Sequence, residues 1–415
     1  MLLIIACLAL LINTPETCSA KKYKDFIMDP ADITAVLADN YTHAAPALEN
    51  SAADICFGCA DIKYDQGNFK IVECGDGIYM SLRATEIIMN NKEYNLVSPF
   101  WGLFWHQIAE FGLPVWHIEA ISDKSALAVN EYKTLGVGYA ASFAALEKSN
   151  DFQQAHKKIV QTPTRMTEYA GIIVFAATKE HTRDGVGYKK FQKQYPHFIY
   201  VNSATRDYLK QKDTTYKLFQ RAGLDAFIPR FGIFPTTFNA DTAKQITKLL
   251  PDNQLLVIKP TYSSLSIGVN VINAKTLPAF LRLILQHPET IGDSAPRALS
   301  FWRSTNQPQF VASEYVPSQT IYKNNKPYDP TMRVIFIMHH DQGTIHTNVL
   351  GGFWKIPVKP LNDASATETE KHVTIAHAGD YYSGILLEQA ESLRMKKALA
   401  PVLAKAYEQM LIERK

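Results

Sequence analysis

Four groups of residues in this chain are of types and spacings that could do chemistry. The first is Lys259-Pro260 followed by Ser263, Ser264, Ser266 and Gly268. Such a loop suits a polyphosphate: small residues let backbone N–H groups turn toward oxygens, hydroxyls add donors, and a lysine at a strand end supplies a fixed positive charge. An ordinary β-hairpin with a Ser-rich turn and a solvated lysine has the same pattern. The second group is Asp61 and Glu73, which flank Asp65-Gln66-Gly67-Asn68. If the flanking segments pair as strands, the two carboxylates come together, as at Mg2+ sites that bridge phosphates; two solvated acids on a hairpin is the alternative. The third is Cys56-Phe57-Gly58-Cys59, readable as a redox dithiol, half of a metal site, a close disulfide or plain buried thiols, with no second pair of this spacing to complete a zinc site. The fourth is His106 and His117, which could face a cleft or be hydrogen-bonded in the core.

The elements that must position these residues follow from periodicity. Leu256 to Ile258 and Val269 to Ile272 are β-formers on either side of the serine loop, so the stretch reads as strand, loop, strand. Ile62, Tyr64, Phe69, Ile71 and Val72 predict a hairpin around Gln66-Gly67, and a second hairpin is expected to turn at His340-Asp341-Gln342-Gly343. Trp101, Phe104, Trp105, Ile108 and Phe111 recur at helical spacing and predict a core helix ended by Gly112-Leu113-Pro114, with a strand from Val115 to Ile118. A helical stretch is expected through Ala140, Ala141, Ala144 and Ala145, another at Ala84 to Asn90, and a weakly helical pattern runs from Lys21 to Asn50. Apolar strands are expected at 171–178 and 197–203, then a helix carrying Lys212, Tyr216 and Phe219 that closes at Gly223. Strands alternating with helices indicate an α/β layer arrangement.

Composition narrows the classes. The 415 residues are 47% hydrophobic and 20% charged, and 43 basic against 40 acidic residues are well mixed, so no basic stripe argues for nucleic acid. Leu2 to Ile12 is an uninterrupted apolar run followed by Pro15 and small residues at Cys18, Ser19 and Ala20, which fits an export leader cut after Ala20, without the usual preceding Lys or Arg. The run is short of the roughly 20 apolar residues that span a bilayer. The mature form is therefore expected to be exported and free of the membrane, or cytoplasmic if the leader is not used.

The order of motifs carries a resemblance. KDTTYKLFQRAGL at 212–224, IPRFGIF, IKPTYSSLSIGV, VASEYVP at 311–317 and PTMRVIFI at 330–337 resemble the succession found in the ATP-grasp superfamily, of the D-alanine–D-alanine ligase-like, carboxylate-amine type, over roughly residues 170–357. The resemblance implies an α/β fold with two α+β subdomains enclosing a nucleotide cleft, beside an α/β pre-ATP-grasp domain. It implies Lys212 and Lys259 at nucleotide phosphates, and Ser263, Ser264, Ser266 and Gly268 as a loop closing over them. Glu314, Tyr315 and Val316 resemble the linker that reads the adenine edge and Arg333 the arginine at the transferred phosphoryl group; Lys355 is a candidate for a further phosphate or substrate contact, or for a structural or solvated lysine. No Glu-x-Asn strand follows Arg333; the early hairpin resembles that piece, with Asp61 and Glu73 as the acids and Gly75 where the asparagine would stand, as in a circularly permuted chain. The expected division is a leader at 1–20, a hairpin segment at 21–95, a substrate-side α/β region at 96–205, the nucleotide region at 206–385 and a C-terminal helix at 386–415. The implied activity uses ATP and Mg2+ to join small-molecule or peptide carboxylate and amine substrates. The alternative is an exported, non-catalytic binding protein of the same fold.

Overall fold

The computed structural model describes residues 40–76, 99–118, 136–158, 163–175, 186–205, 208, 211–251, 254–263, 266–374, 384–387 and 389–414. The leader at 1–20, the helix expected at Ala84 to Asn90 and Ser264 lie outside the described residues.

In chain order, β1 (Tyr41–Ala44) precedes a long hairpin of β2 (Asp54–Asp65) and β3 (Asn68–Asp76). Then come β4 (Val115–Ile118), β5 (Val137–Ala140), β6 (Gly171–Phe175) and β7 (Phe198–Tyr200), interleaved with helices that include Pro99–Ala109 and Val186–Gln194. The helix Lys212–Arg221 leads to β8 (Phe231–Pro235), β9 (Leu255–Pro260), β10 (Asn270–Asn273) and β11 (Gln309–Glu314). A small hairpin of β12 (Ile321–Lys323) and β13 (Lys326–Tyr328), the long pair β14 (Thr331–Asp341) and β15 (Thr344–Lys355), and β16 (Gly384–Leu386) precede a helix at Gln389–Glu413.

Three larger sheets result. The central one has the order β1-β15-β14-β2-β3, with β16 also on β15, so the N-terminal hairpin completes a sheet begun by the strands at 331–355. A second, antiparallel sheet runs β10-β9-β11-β8, and a third, parallel one runs β5-β4-β6-β7. This is the α/β class expected. The hairpin turns form where the sequence places them: Gln66 and Gly67, and Gln342 and Gly343, all take positive φ, the backbone that a two-residue connection between twisted strands requires.

Burial explains why β2 reads as a nearly continuous apolar run. It lies between β14 and β3 in the central sheet, and every residue from Asp54 to Tyr64 is buried. Cys56, Ala60 and Ile62 pack on one face with Met332, Val334 and the helix residues Leu399, Leu403 and Tyr407. Ile55, Phe57 and Cys59 pack on the other with Phe104, Ile108 and Ile335. Strand residues three apart point to opposite faces, so Cys56 and Cys59 are separate buried thiols and the close disulfide is excluded. Two helical expectations are also corrected. Tyr41–Ala44 is a strand because it pairs with Thr344–Thr347 of β15, and Ala140 ends a strand that pairs with Ile118, the helix starting only at Phe143 behind an N-cap at Ser142.

Close backbone approach fixes one glycine. A Cβ on Gly352 of β15 would stand 2.3 Å from the Arg333 carbonyl oxygen. Gly352→Ala is expected to displace β14 at Arg333 and to destabilise the protein by about 1–3 kcal/mol, the usual cost of forcing extra atoms into a packed site. The midpoint of chemical denaturation should fall accordingly; an unchanged midpoint would contradict this account.

Candidate functional site

The functional side chains assemble from strand register. Asp61 is directly opposite Glu73 on β3 and Arg333 on β14, while Lys355 of β15 lies opposite Thr331, one diagonal step from Arg333. Residues directly opposite in a sheet share a face. Glu73, Asp61, Arg333 and Lys355 therefore form a charged row across four strands, on the face that also carries Cys59 and Ile335.

Asp61 is the hub of this row. Arg333 donates to it in a fork, Nε to Oδ1 at 2.7 Å and Nη2 to Oδ2 at 2.8 Å, and Lys355 Nζ donates to Oδ2 at 2.5 Å. Burial alone would raise the Asp61 carboxyl, but the adjacent Arg333 and Lys355 charges hold it well below the usual carboxylate range. Lys355 is pushed below the ordinary lysine range by burial and by Arg333, against the attraction of Asp61.

The second sheet and the preceding helix deliver two more cations to the β3 edge. Leu255, Val257 and Lys259 alternate along β9 on one face, while Leu256 and Ile258 pack on the helices behind the sheet. Lys259 is buried rather than solvated; its Nζ donates to the Tyr216 hydroxyl at 2.6 Å and to the Val72 carbonyl at 3.1 Å, and lies over the Tyr216 ring. Val72 is the extra residue of a bulge opposite Asp61 and Ile62, which frees its carbonyl to accept Lys259 and the Tyr216 hydroxyl. Lys212, at the start of its helix, donates to the Ser263 carbonyl at 2.8 Å and hydroxyl at 3.2 Å and pairs with Glu73 at 3.4 Å. Lys212 and Tyr216 are four apart and so share a helix face. Periodicity alone assigns Tyr216 to apolar packing; its i, i+4 spacing to Lys212 is the signal in the sequence for its second role.

The loop after β9 has a left-handed Ser266 and Gly268, with φ of 57° and 78°. Its C-terminal end is fixed by the Gly268 carbonyl, which accepts from Trp302 Nε1 and Asn270 Nδ2. A Cβ on Gly268 would meet Phe301 and Pro260 at 2.8 Å. Glu314 ends β11 and is tied to Arg230 through its carboxylate, and the backbone N–H groups of Glu314 and Tyr315 donate to Arg230 and Leu255. Val316 follows on the connection out of the sheet. The Tyr315 hydroxyl joins a buried network that the sequence did not reveal: Asp329 accepts from Lys63 at 3.0 Å and meets His372 at 2.8 Å, and His372 also reaches the Tyr315 hydroxyl. His117 is a core residue, its basicity lowered to about 3 by burial, and His106 is exposed.

Four cations thus converge with two carboxylates, which favours a polyanion. Metal binding fits less well. Both Asp61 oxygens are engaged, a side chain at Gly75 would press on Cys59 Sγ at 3.2 Å, and among the described residues no three metal-ligating groups cluster. Glu73 and Ser263 share Lys212, so Glu73 lies beside the start of the serine loop.

Fold and site together define an α/β protein in which β9 of the smaller antiparallel sheet sets Lys259 against the edge of the arginine-bearing central sheet. No protein-family model and no curated protein matches the chain. Among solved structures it is similar to a putative gamma-glutamylcysteine synthetase from Methylobacillus flagellatus KT, at 10% identity over 92% of each chain with a TM-score of 0.44. It is also similar to D-alanyl-alanine synthetase A from Vibrio cholerae O1 biovar eltor, at 11% identity over 58% of this chain and 59% of that one with a TM-score of 0.31. A RimK domain ATP-grasp protein from Sphaerobacter thermophilus aligns at 10% identity over 55% of this chain and 90% of its own, with a TM-score of 0.28. What the site can do is read from its own geometry.

Burial first, and then the Lys212 charge, lower Lys259 from the ordinary 10.5 to about 7, with Glu73 opposing. Between those two values the unfolded chain holds a proton that the folded one has released, so stability rises with pH across that window, by up to ~1.4 kcal/mol per pH unit. Lys259→Met should remove that part of the slope in denaturation series from pH 7 to 10. A slope identical to that of the unmodified protein would show that Lys259 is not the titrating group.

Proposed function

We propose that this protein is an ATP-dependent ligase that activates a carboxylate as an acyl phosphate for attack by an amine or another nucleophile. The observation that carries the reading is the convergence of Lys212, Lys259, Arg333 and Lys355 beside Asp61 and Glu73. Preorganised buried cations offset the charge that spreads over phosphate oxygens as a phosphoryl group moves, and a phosphate arriving beside Lys259 favours its protonated form. The apolar side chains of Leu255, Val257 and Val271, with Tyr315 and Val373, continue the face that bears Lys259 and give a base a dry surface.

In this reading Lys212 and Lys259 hold the β- and γ-phosphates of ATP as substrate. A carboxylate oxygen attacks the γ-phosphorus, the bond from that phosphorus to the β,γ-bridging oxygen breaks, and ADP leaves. Arg333 offsets the equatorial charge during this transfer. The nucleophile then attacks the acyl carbon, inorganic phosphate leaves, and the nitrogen gives up a proton. The mobile serine loop of the implied family supports exclusion of water from the intermediate. No step is routed through Mg2+, because Asp61 would first have to exchange Arg333 and Lys355 for it.

ADP release from ATP, assayed with mixed amino-acid acceptors with and without added Mg2+, should fall about 100-fold or more in Lys259→Met and in Arg333→Lys, the scale of loss when one preorganised charge is removed from a transferring group. Arg333→Lys keeps a cation beside Asp61, so circular dichroism should report a folded variant. Activity equal to the unmodified protein in both variants would remove the assignment. Saturable ATP binding without turnover would instead favour a binding protein of the same fold.

A further inference from the structure

A cavity of about 590 Å3 lies on the opposite side of the central sheet from the charged row. Consecutive strand residues point to opposite faces, so Trp354 enters this cavity while Lys355 joins Asp61 on the other side. The floor is aromatic, made by Trp354 and Tyr64, whose ring centroids are 6.3 Å apart. Ile321 supplies an apolar wall, and the helix Gln389–Glu413 contributes Glu391 and Arg394. None of these residues takes part in the proposed phosphoryl chemistry.

The two charges are arranged unusually. Glu391 and Arg394 are three apart on one helix, a spacing at which opposite charges ordinarily pair. Here Glu391 is turned away instead: one carboxylate oxygen accepts from Gln319 Nε2 at 3.0 Å and the other from Trp354 Nε1 at 3.2 Å. Among the described residues Arg394 makes no ion pair, and it is an exposed residue that lines the cavity. A carboxylate has about four acceptor positions, so Glu391 can still receive further donors. The cavity thus presents one cation and one fixed anion above an apolar, aromatic floor, within the size range of small-molecule sites.

We infer that this cavity is a second ligand site, for a free amino acid or dipeptide with an apolar side chain. The ligand carboxylate pairs in a fork with Arg394, its ammonium donates to Glu391, and its side chain covers Trp354 and Tyr64. A phosphate ester fits poorly because Glu391 repels a dianion beside Arg394. A purely apolar ligand leaves both charges unmatched on burial. The inference does not depend on ligase activity at the charged row.

The test is calorimetric titration of the whole protein, without nucleotide, with L-leucine, L-phenylalanine and L-leucyl-L-leucine, alongside their C-terminal amides and N-acetyl derivatives. At least one free ligand should give saturable heat at millimolar concentration or below. The amide and the N-acetyl forms should bind about tenfold or more weakly, as should Arg394→Ala, since a charge-assisted pair is lost in each case. Arg394 is exposed, so its variant is expected to fold, and Ile321→Trp should independently weaken binding about tenfold or more by crowding the wall of the cavity. No saturable heat from any free ligand, or an affinity unaffected by both Arg394→Ala and Ile321→Trp, would overturn the inference.

Discussion

A carboxylate buried between two cations sets the terms for the rest of the molecule. Asp61 is desolvated between β14 and β3 in the central sheet, and an isolated charge there would be untenable. Arg333 and Lys355 remove that difficulty only if β14 and β15 hold one register against β2. A slip of one residue would turn Asp61 to the other face, among Met332, Val334 and Leu403. The ion triad therefore specifies register as well as charge. Taking away one member of such a group typically costs about 3–5 kcal/mol, because the remaining charge is left buried.

The same geometry brings the β3 edge to the cleft. The bulge at Val72 turns one carbonyl out of the ladder, and that carbonyl anchors Lys259 and Tyr216. Lys212 then ties the helix start, the serine loop and Glu73 together, its own N–H donating to the Thr261 carbonyl. Each cation arrives from a different element: Lys212 and Lys259 are held by carbonyl and hydroxyl groups, and Arg333 and Lys355 by the Asp61 carboxylate. This is preorganisation of the kind a polyphosphate site requires.

Local chemistry was legible in the sequence, and long-range chemistry only through the order of motifs. The turns at Gln66-Gly67 and Gln342-Gly343, the strands at β4, β6, β9 and β10 and the stop at Gly223 could be read because their causes lie within a few residues. The CxxC pair stayed open between a disulfide and plain buried thiols because its spacing has one meaning in a helix or loop and another in a strand, where it separates the thiols across a sheet. The alanine-rich stretch near 140 misled because parallel pairing with β4 outweighs helix propensity. Nothing near Lys63 announces Asp329 and His372, and nothing near Asp54 announces the Tyr407 hydroxyl that donates to it at 2.5 Å, because these partners meet only after the chain has closed on itself.

That closure has a consequence for how the protein is made. Asp61 and Arg333 are 272 residues apart, and at ribosomal rates of about 5–20 residues per second the hairpin 54–76 emerges roughly 15–55 s before its partner strands exist. During that interval a long strand carrying an aspartate among apolar residues has no neighbour on its β14 side. High contact order of this kind slows folding and leaves an edge open to other chains. The central sheet is thus completed last around its most polar residue, which makes the nascent hairpin the natural client of any chaperone that guards this chain.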